Sequence, residues 1–144
     1  MTATGPGTKE SLAIGNTIAE MAKVADFVDR FGAAHGISPA VINKLNVCLD
    51  ELLNNTISYG YKDQAPHSIA VSLSLSDGRL VAEIVDDGEP FDPGRATSPP
   101  PSGPLASRKI GGLGLHLINT LMDEVGYVRM GSHNVVTLAK RLQP

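Results

Sequence analysis

The chain has 144 residues, of which 42% are hydrophobic and 19% charged, and this composition predicts one globular domain with a substantial core. Its formal net charge of -3 gives no basic surface, so neither nucleic acid nor an anionic membrane is expected as a partner. A single cysteine excludes an internal disulfide framework. No apolar run approaches the roughly 20 residues that cross a bilayer, and no signal-peptide pattern is present, so the expected location is the cytoplasm.

The first half of the chain predicts a strand and two helices. Residues 1–8 are small and polar and are expected to form a flexible N-terminus, followed by a strand candidate at 9–15. Apolar residues at helical spacing over 18–31 predict the first helix. The second is predicted over 38–58, because a serine N-cap and a proline at the first helical position open it.

The second half predicts strands around one more helix. Alternating apolar residues over 68–75 and 80–85, joined by Ser-Asp-Gly, predict a β-hairpin. The segment 94–107 is rich in proline and glycine and poor in apolar residues, which predicts a mobile loop. A third helix is predicted to open at 111–114. Two further strand candidates lie at 125–130 and 135–139. This order predicts an α+β fold, a two-layer α/β sandwich with helices on one face of a mixed sheet.

Four polar side chains interrupt the apolar second half of the second helix: Asp50, Glu51, Asn54 and Asn55. Asp50 and Asn54 lie about 140 to 180° from the centre of the apolar stripe, so they are expected to face water. Glu51 and Asn55 lie one turn apart at the edge of the stripe. This pair has two possible roles in catalysis. Either the oxygens of both side chains bind Mg²⁺, or Glu51 acts as a general base while the amide oxygen of Asn55 binds the metal. A local hydrogen bond at the helix edge is the plainer alternative.

Two glycine-bearing loops are candidates for nucleotide binding. Asp86 stands at a strand end before Gly88, where a carboxylate can accept a hydrogen bond from an exocyclic amine such as that of adenine. Asp-Gly is also a common turn, so this signal is weak by itself. The segment 111–114 offers backbone N–H groups at a helix N-terminus, where the helix dipole favours phosphate. The sequence contains no Gly-Lys-Ser/Thr motif of the Walker phosphate-binding loop.

In this order the motifs resemble the GHKL ATPase superfamily, which includes gyrase-type ATPases and histidine kinases. Residues 51–55 are similar to its N-box, 86–88 to its first glycine box and 112–114 to its second. Within the superfamily, the stretches NNTISYGY, DDGEPFDP, GGLGLHLI and NVVTLAKRL resemble the anti-sigma-factor serine kinases of bacterial partner-switching systems. The resemblance spans about residues 9–142.

The resemblance implies a Bergerat-type, histidine-kinase-like ATPase domain over 9–144 that binds ATP with Mg²⁺. Asn55 would carry the metal, and Glu51 would be the base acting on a Ser or Thr hydroxyl of a partner protein. Asp86 would read the adenine amine, with Thr137 supporting it. Residues 94–109 would be the ATP lid. The other nucleotide-binding positions that the resemblance implies are Gly88, Pro90, Gly111, Gly112, Leu113 and Gly114.

The usual substrate in this family is an antagonist protein of the STAS class, the other partner is a sigma factor, and members are often dimers. Two positions depart from the pattern. Pro90 stands where many relatives have glycine. Ile110 occupies the register in which some members carry a phosphate-neutralising arginine, for which Arg108 is the candidate substitute. An ATP-binding partner-switch module without kinase activity and a detached histidine-kinase ATPase domain are the alternative functions.

Overall fold

The computed structural model describes residues 9–93 and 113–142. The predicted flexible N-terminus, the whole of the predicted lid, and the site residues Arg108, Gly111 and Gly112 lie outside these segments. The elements of the described segments are β1 (Lys9–Gly15), α1 (Met21–Ala34), α2 (Pro39–Tyr59), β2 (Ser68–Ser76), β3 (Arg79–Asp86), α3 (Leu113–Leu121), β4 (Glu124–Met130) and β5 (His133–Arg141). No helix of these segments is long and apolar enough to cross a membrane.

The strands form one sheet in the order β1-β2-β3-β5-β4, and every pairing in it is antiparallel. The predicted α+β class is therefore confirmed, whereas the mixed sheet is corrected to an antiparallel one. The reason lies in the connections. The crossover that contains α3 leaves β4 parallel to β3, but β5 then turns back and inserts between them. The helices α1 and α2 together return the chain to the end where β1 stops, so that Gly15 lies opposite Ser68.

The core lies between the helices and one face of the sheet. Buried side chains of α1 and α2, such as Phe31 and Leu49, join buried residues of alternate strand positions, such as Val71, Ile84 and Leu138, in one apolar cluster. Alternation along each strand sends every second side chain to this face. The same alternation determines which polar residues at the strand ends can meet the end of α2.

The helix α2 has the rotation that its sequence predicts. Ser38 caps it, since its Oγ accepts a hydrogen bond from the backbone N–H of Val41 at 3.3 Å. Asp50 is exposed, whereas Glu51 and Asn55 are half-buried beside the buried stripe. This rotation places one side of the last two turns of α2 at the edge of the core, next to the ends of β3 and β5.

Candidate functional site

A cavity of about 160 Å³ lies between the last turns of α2 and the ends of β3 and β5. Leu52, Tyr59, Phe91 and Val136 supply apolar surface to it, and Asn55, Thr56, Asp86 and Asn134 supply polar groups. Three predicted site residues, Asn55, Asp86 and Pro90, thus line one cavity. An apolar cleft with a few convergent polar groups is the usual form of a small-molecule site.

Asp86 is the buried carboxylate of this cavity, with 4% of the residue exposed. Its Oδ1 accepts hydrogen bonds from the backbone N–H of Gly88 at 2.8 Å and from Nδ2 of Asn134 at 2.9 Å. Because both donors contact Oδ1, Oδ2 is left without a hydrogen-bond donor among the described residues. A carboxylate oxygen accepts a hydrogen bond from an amine N–H and cannot donate one to a carbonyl. The cavity therefore favours a ligand with an amine at this point.

The loop after β3 is closed against the end of α2. The backbone N–H of Glu89 donates to the carbonyl oxygen of Gly60 at 2.7 Å. A Cβ atom on Gly88 would lie 2.6 Å from the same oxygen, closer than such atoms approach in proteins. Glycine at this position is thus required by the close approach of two backbones, and the closure forms one rim of the cavity.

We expect Gly88→Ala to lower the free energy of unfolding by about 1–3 kcal/mol, because overpacking against backbone cannot be relieved by a side-chain rotation. Gly126→Ala is the matched control, since its Cβ would lie 3.9 Å from Cβ of Thr137, an ordinary contact. Urea denaturation of both variants measures the difference. Equal stability of the two variants would contradict the close approach.

Glu51 and Asn55 leave their side-chain oxygens available to a ligand. Neither makes a side-chain hydrogen bond or ion pair with another described residue, whereas the neighbouring Asn54 accepts one from Oγ of Ser58 at 3.1 Å. The plainer alternative, a local hydrogen bond at the helix edge, is therefore absent for this pair in the described segments. Asn55 lines the cavity, and Glu51 lies one helical turn before it.

Thr137 does not lie at this site, and its predicted support of Asp86 is wrong. In the pairing of β3 with β5, Thr137 stands opposite Glu83, while Asn134 stands opposite Asp86. Residues three apart on a strand point to opposite faces of the sheet, and Thr137 lies on the face away from the helices. The side chain that supports Asp86 is that of Asn134.

Asn134 is a residue that the sequence prediction missed. It is 3% exposed and begins the series Asn134, Val136 and Leu138, all of which point to the core. An amide that takes a core position on a strand needs hydrogen-bond partners, and this was the signal in the sequence. Of the second glycine box, Leu113 and Gly114 open α3 in the described part of the chain.

A histidine joins the connection after α2 to the residue that follows Asp86. The ring of His67 stacks on Tyr61 with centroids 4.4 Å apart. Its Nε2 lies 2.8 Å from Oδ1 of Asp63, and its Nδ1 lies 3.0 Å from Oδ1 of Asp87. Hydrogen bonds to Asp63 and then to Asp87 raise the pKa of His67. We name His67, Asp63 and Asp87 the histidine clasp.

The histidine clasp is expected to make stability depend on pH. Since folding raises the pKa of His67, its contribution is complete below the unfolded value, about 6.5, and is lost as the pH rises through the higher folded value. The difference in free energy of unfolding between the wild type and His67→Gln should therefore shrink as the pH rises above neutrality. Denaturation at a series of pH values measures it. A difference in free energy of unfolding that stays constant with pH would show that the histidine clasp does not stabilise the fold through the protonated His67.

A family model described as histidine kinase-like ATPase domain matches residues 14–140, most of the chain. The chain belongs to the histidine kinase-like ATPase family. Serine/threonine-protein kinase BtrW of Bordetella bronchiseptica is 33% identical to it over 100 residues, which are 69% of this chain and 70% of that protein. Serine-protein kinase RsbW of Bacillus subtilis is 30% identical over 102 residues, which are 68% of this chain and 62% of that protein.

A solved structure agrees with the fold of this family member. The structure of the RsbU and RsbW domains of Rv1364c from Mycobacterium tuberculosis matches with a TM-score of 0.65 and 19% identity, over 94% of this chain and 33% of that one. The resemblance to GHKL ATPases, and among them to the serine kinases of partner switching, is confirmed by these matches. The predicted enzyme class, a protein serine/threonine kinase, agrees with the names of both relatives, one a serine/threonine-protein kinase and the other a serine-protein kinase. As its name states, the family is one of ATPases.

Proposed function

We propose that this family member is an ATP-dependent protein serine/threonine kinase that phosphorylates a STAS-domain antagonist and also sequesters a regulator such as a sigma factor. The observation that carries the proposal is the position of Glu51 and Asn55. Both are half-buried on the side of α2 that borders the cavity, and their oxygens make no hydrogen bond with the described residues. The partners are inferred from the family alone.

The cavity is the proposed adenine site. Leu52, Phe91 and Val136 offer apolar surface to a flat base, and Oδ2 of Asp86 is the acceptor for its amine. A site built around one buried acceptor discriminates strongly against a base with a carbonyl in place of the amine, since that pairing leaves two acceptors facing each other. The base that we propose is adenine, as in the family's ATP, and its 6-amino group would donate to this acceptor. Pro90 lies at the same cavity, in the loop that Gly88 closes.

Asn55 is the proposed ligand of Mg²⁺. Its amide oxygen is a hard ligand of the kind this ion prefers, and the described residues hold no group of three or more His, Cys, Asp or Glu residues that could bind a metal by themselves. That chemistry fits an ion held by one protein oxygen, water and the phosphates of the nucleotide. When bound, the ion would neutralise charge on the phosphates during transfer.

Glu51 is the proposed general base. The hydroxyl oxygen of a partner's Ser or Thr attacks the γ-phosphorus, the bond from that phosphorus to the β-γ bridging oxygen breaks, and ADP leaves. The hydroxyl proton passes to the Glu51 carboxylate. Its half-buried position on α2 keeps it open to a protein substrate. Arg108 is proposed to neutralise the transferring phosphoryl group, residues 94–109 to form the lid, and Gly111, Gly112, Leu113 and Gly114 to contact the phosphates.

Phosphoryl transfer to a partner tests this function. The purified chain is incubated with Mg²⁺-ATP and the STAS-domain protein encoded nearest to its gene, and the partner is analysed by intact-mass and peptide mass spectrometry. We expect the gain of one phosphoryl group on a Ser or Thr. A partner that stays unmodified, although it binds the chain in the presence of ATP, would overturn the kinase proposal.

The second candidate is an ATP-gated binding module that phosphorylates nothing. Ile110, in the register of the family's arginine, favours it, because phosphoryl transfer benefits from a cation at that point. Calorimetry separates the two functions. Tight partner binding that requires ATP, without modification of the partner over the same period, is the result expected of a binding module.

A further inference from the structure

The side chain of Asn134 is the centre of the polar contacts at the cavity. Its Nδ2 donates to Oδ1 of Asp86 at 2.9 Å and to the carbonyl oxygen of Glu89 at 2.8 Å. Its Oδ1 accepts from the hydroxyl of Tyr127 at 2.7 Å, from Nη1 of Arg129 at 3.2 Å and from the backbone N–H of Phe91 at 3.4 Å. Both ends of this buried amide are therefore satisfied.

The orientation of this amide is fixed by its partners. A carboxylate and a carbonyl only accept, so they require the nitrogen of Asn134 on their side. A guanidinium and a backbone N–H only donate, so Arg129 and Phe91 require the oxygen on theirs. A flipped Asn134 would place acceptors against acceptors and donors against donors. The hydrogen-bonding pattern thus permits one state.

The edge strand β4 reaches the cavity through this amide. Arg129 also donates from Nη1 to the carbonyl oxygen of Gly88 at 2.7 Å, so one guanidinium holds both Asn134 and the loop after β3. Tyr127 holds Asn134 from the same strand. Two residues of β4 that do not line the cavity thereby fix two groups that contact Asp86.

We infer that Asn134 is a positioning residue that sets the base specificity of the site. With Gly88 it places two donors on Oδ1 of Asp86, which leaves Oδ2 as the acceptor for a ligand in the cavity that Asp86 lines. Asp86 in this orientation selects a purine with a 6-amino group over one with a 6-oxo group. This inference rests on the proposed ATP site and adds the groups that make Asp86 selective.

The test compares affinities for two nucleotides that differ at this position of the base. Calorimetry gives the Kd of the wild type for Mg²⁺-ATP and for Mg²⁺-inosine triphosphate. In Asn134→Asp a carboxylate faces Asp86 where an amide nitrogen stood, and in Asn134→Leu the amide is replaced by an apolar side chain of similar size. We expect both variants to weaken ATP binding about ten- to hundredfold and to lower the preference for ATP about tenfold or more. The rate of phosphoryl transfer at saturating ATP should change far less than KM.

The matched control is Asn46→Asp. Nδ2 of Asn46 donates to Oδ1 of Asp29 at 2.9 Å on the exposed side of the helices, so the same exchange of amide for carboxylate beside an aspartate occurs away from the cavity. It should leave both affinities unchanged. If the Asn134 variants do not fold, as seen by circular dichroism, Tyr127→Phe removes one donor to Asn134 and should weaken ATP binding about two- to tenfold with a lower preference for ATP.

Two results would overturn the inference. Binding of ATP by the folded Asn134 variants within about twofold of the wild type would mean that Asp86 needs no such support. Equal losses of affinity for ATP and inosine triphosphate would leave Asn134 with a purely structural role. A wild type that binds no ATP would instead refute the proposed function, so the two failures are distinguishable.

Discussion

Asp86→Asn is expected to weaken the binding of Mg²⁺-ATP by more than about a hundredfold while the fold is kept. The new amide can turn its oxygen to the N–H of Gly88 and to Nδ2 of Asn134, which preserves both hydrogen bonds. Its nitrogen then faces the cavity, where a donor meets the amine of adenine. A buried donor without an acceptor costs far more than the loss of an exposed contact, and a site built for one hydrogen bond rejects the mismatched partner strongly.

Calorimetric titration of the Asp86 variant gives the Kd, and thermal melting shows whether the fold is kept. Asp77→Asn is the control, because Asp77 lies in the turn between β2 and β3 with a φ of 52°, a conformation that asparagine adopts readily. The control should bind ATP as the wild type does. An Asp86 variant that binds ATP with wild-type affinity would show that the adenine base does not bind at Asp86.

Glu51→Gln is expected to slow phosphoryl transfer by about 10²–10⁴, the range for loss of a general base, with little change in the Kd for ATP. The glutamine has the same shape but cannot take the proton from the attacking hydroxyl. Because Glu51 lies outside the lining of the cavity, its substitution leaves the contacts of the adenine base unchanged. The measurement is a single-turnover assay with the phosphorylated partner as the product.

The adjacent residue supplies the control for Glu51. Asp50 is exposed and lies about 100° around α2 from Glu51, and Asp50→Asn makes the same change from carboxylate to amide one residue away. This variant should transfer phosphate at the wild-type rate. Equal rates for the Glu51 and Asp50 variants would exclude Glu51 as the base, whatever the affinity for ATP.

Local signals in the sequence predicted the elements of this fold well. Ser38 and the proline after it predicted the start of α2, and the apolar spacing predicted its end within a residue of Tyr59. The rotation that separates Glu51 from Asp50 follows from the same spacing, because a helix has one period and one buried face. Such features depend on residues within a few turns of each other.

Contacts between distant segments were predicted less well. Whether Asn134 or Thr137 supports Asp86 depends on the register of β3 and β5, and the bond from Asn134 to Asp86 joins residues 48 positions apart in the chain. A shift of one residue in such a pairing moves every side chain to the other face. The antiparallel sheet was missed for a similar reason, since the insertion of β5 between β3 and β4 leaves no local pattern in the sequence.

A crystal structure of the chain with Mg²⁺ and a non-hydrolysable ATP analogue tests the central claim most directly. We predict the adenine base in the cavity between α2 and the ends of β3 and β5, its amine within hydrogen-bond distance of Oδ2 of Asp86, and the ion on the amide oxygen of Asn55. A base bound away from Asp86, or an ion that does not contact Asn55, would contradict the proposed site.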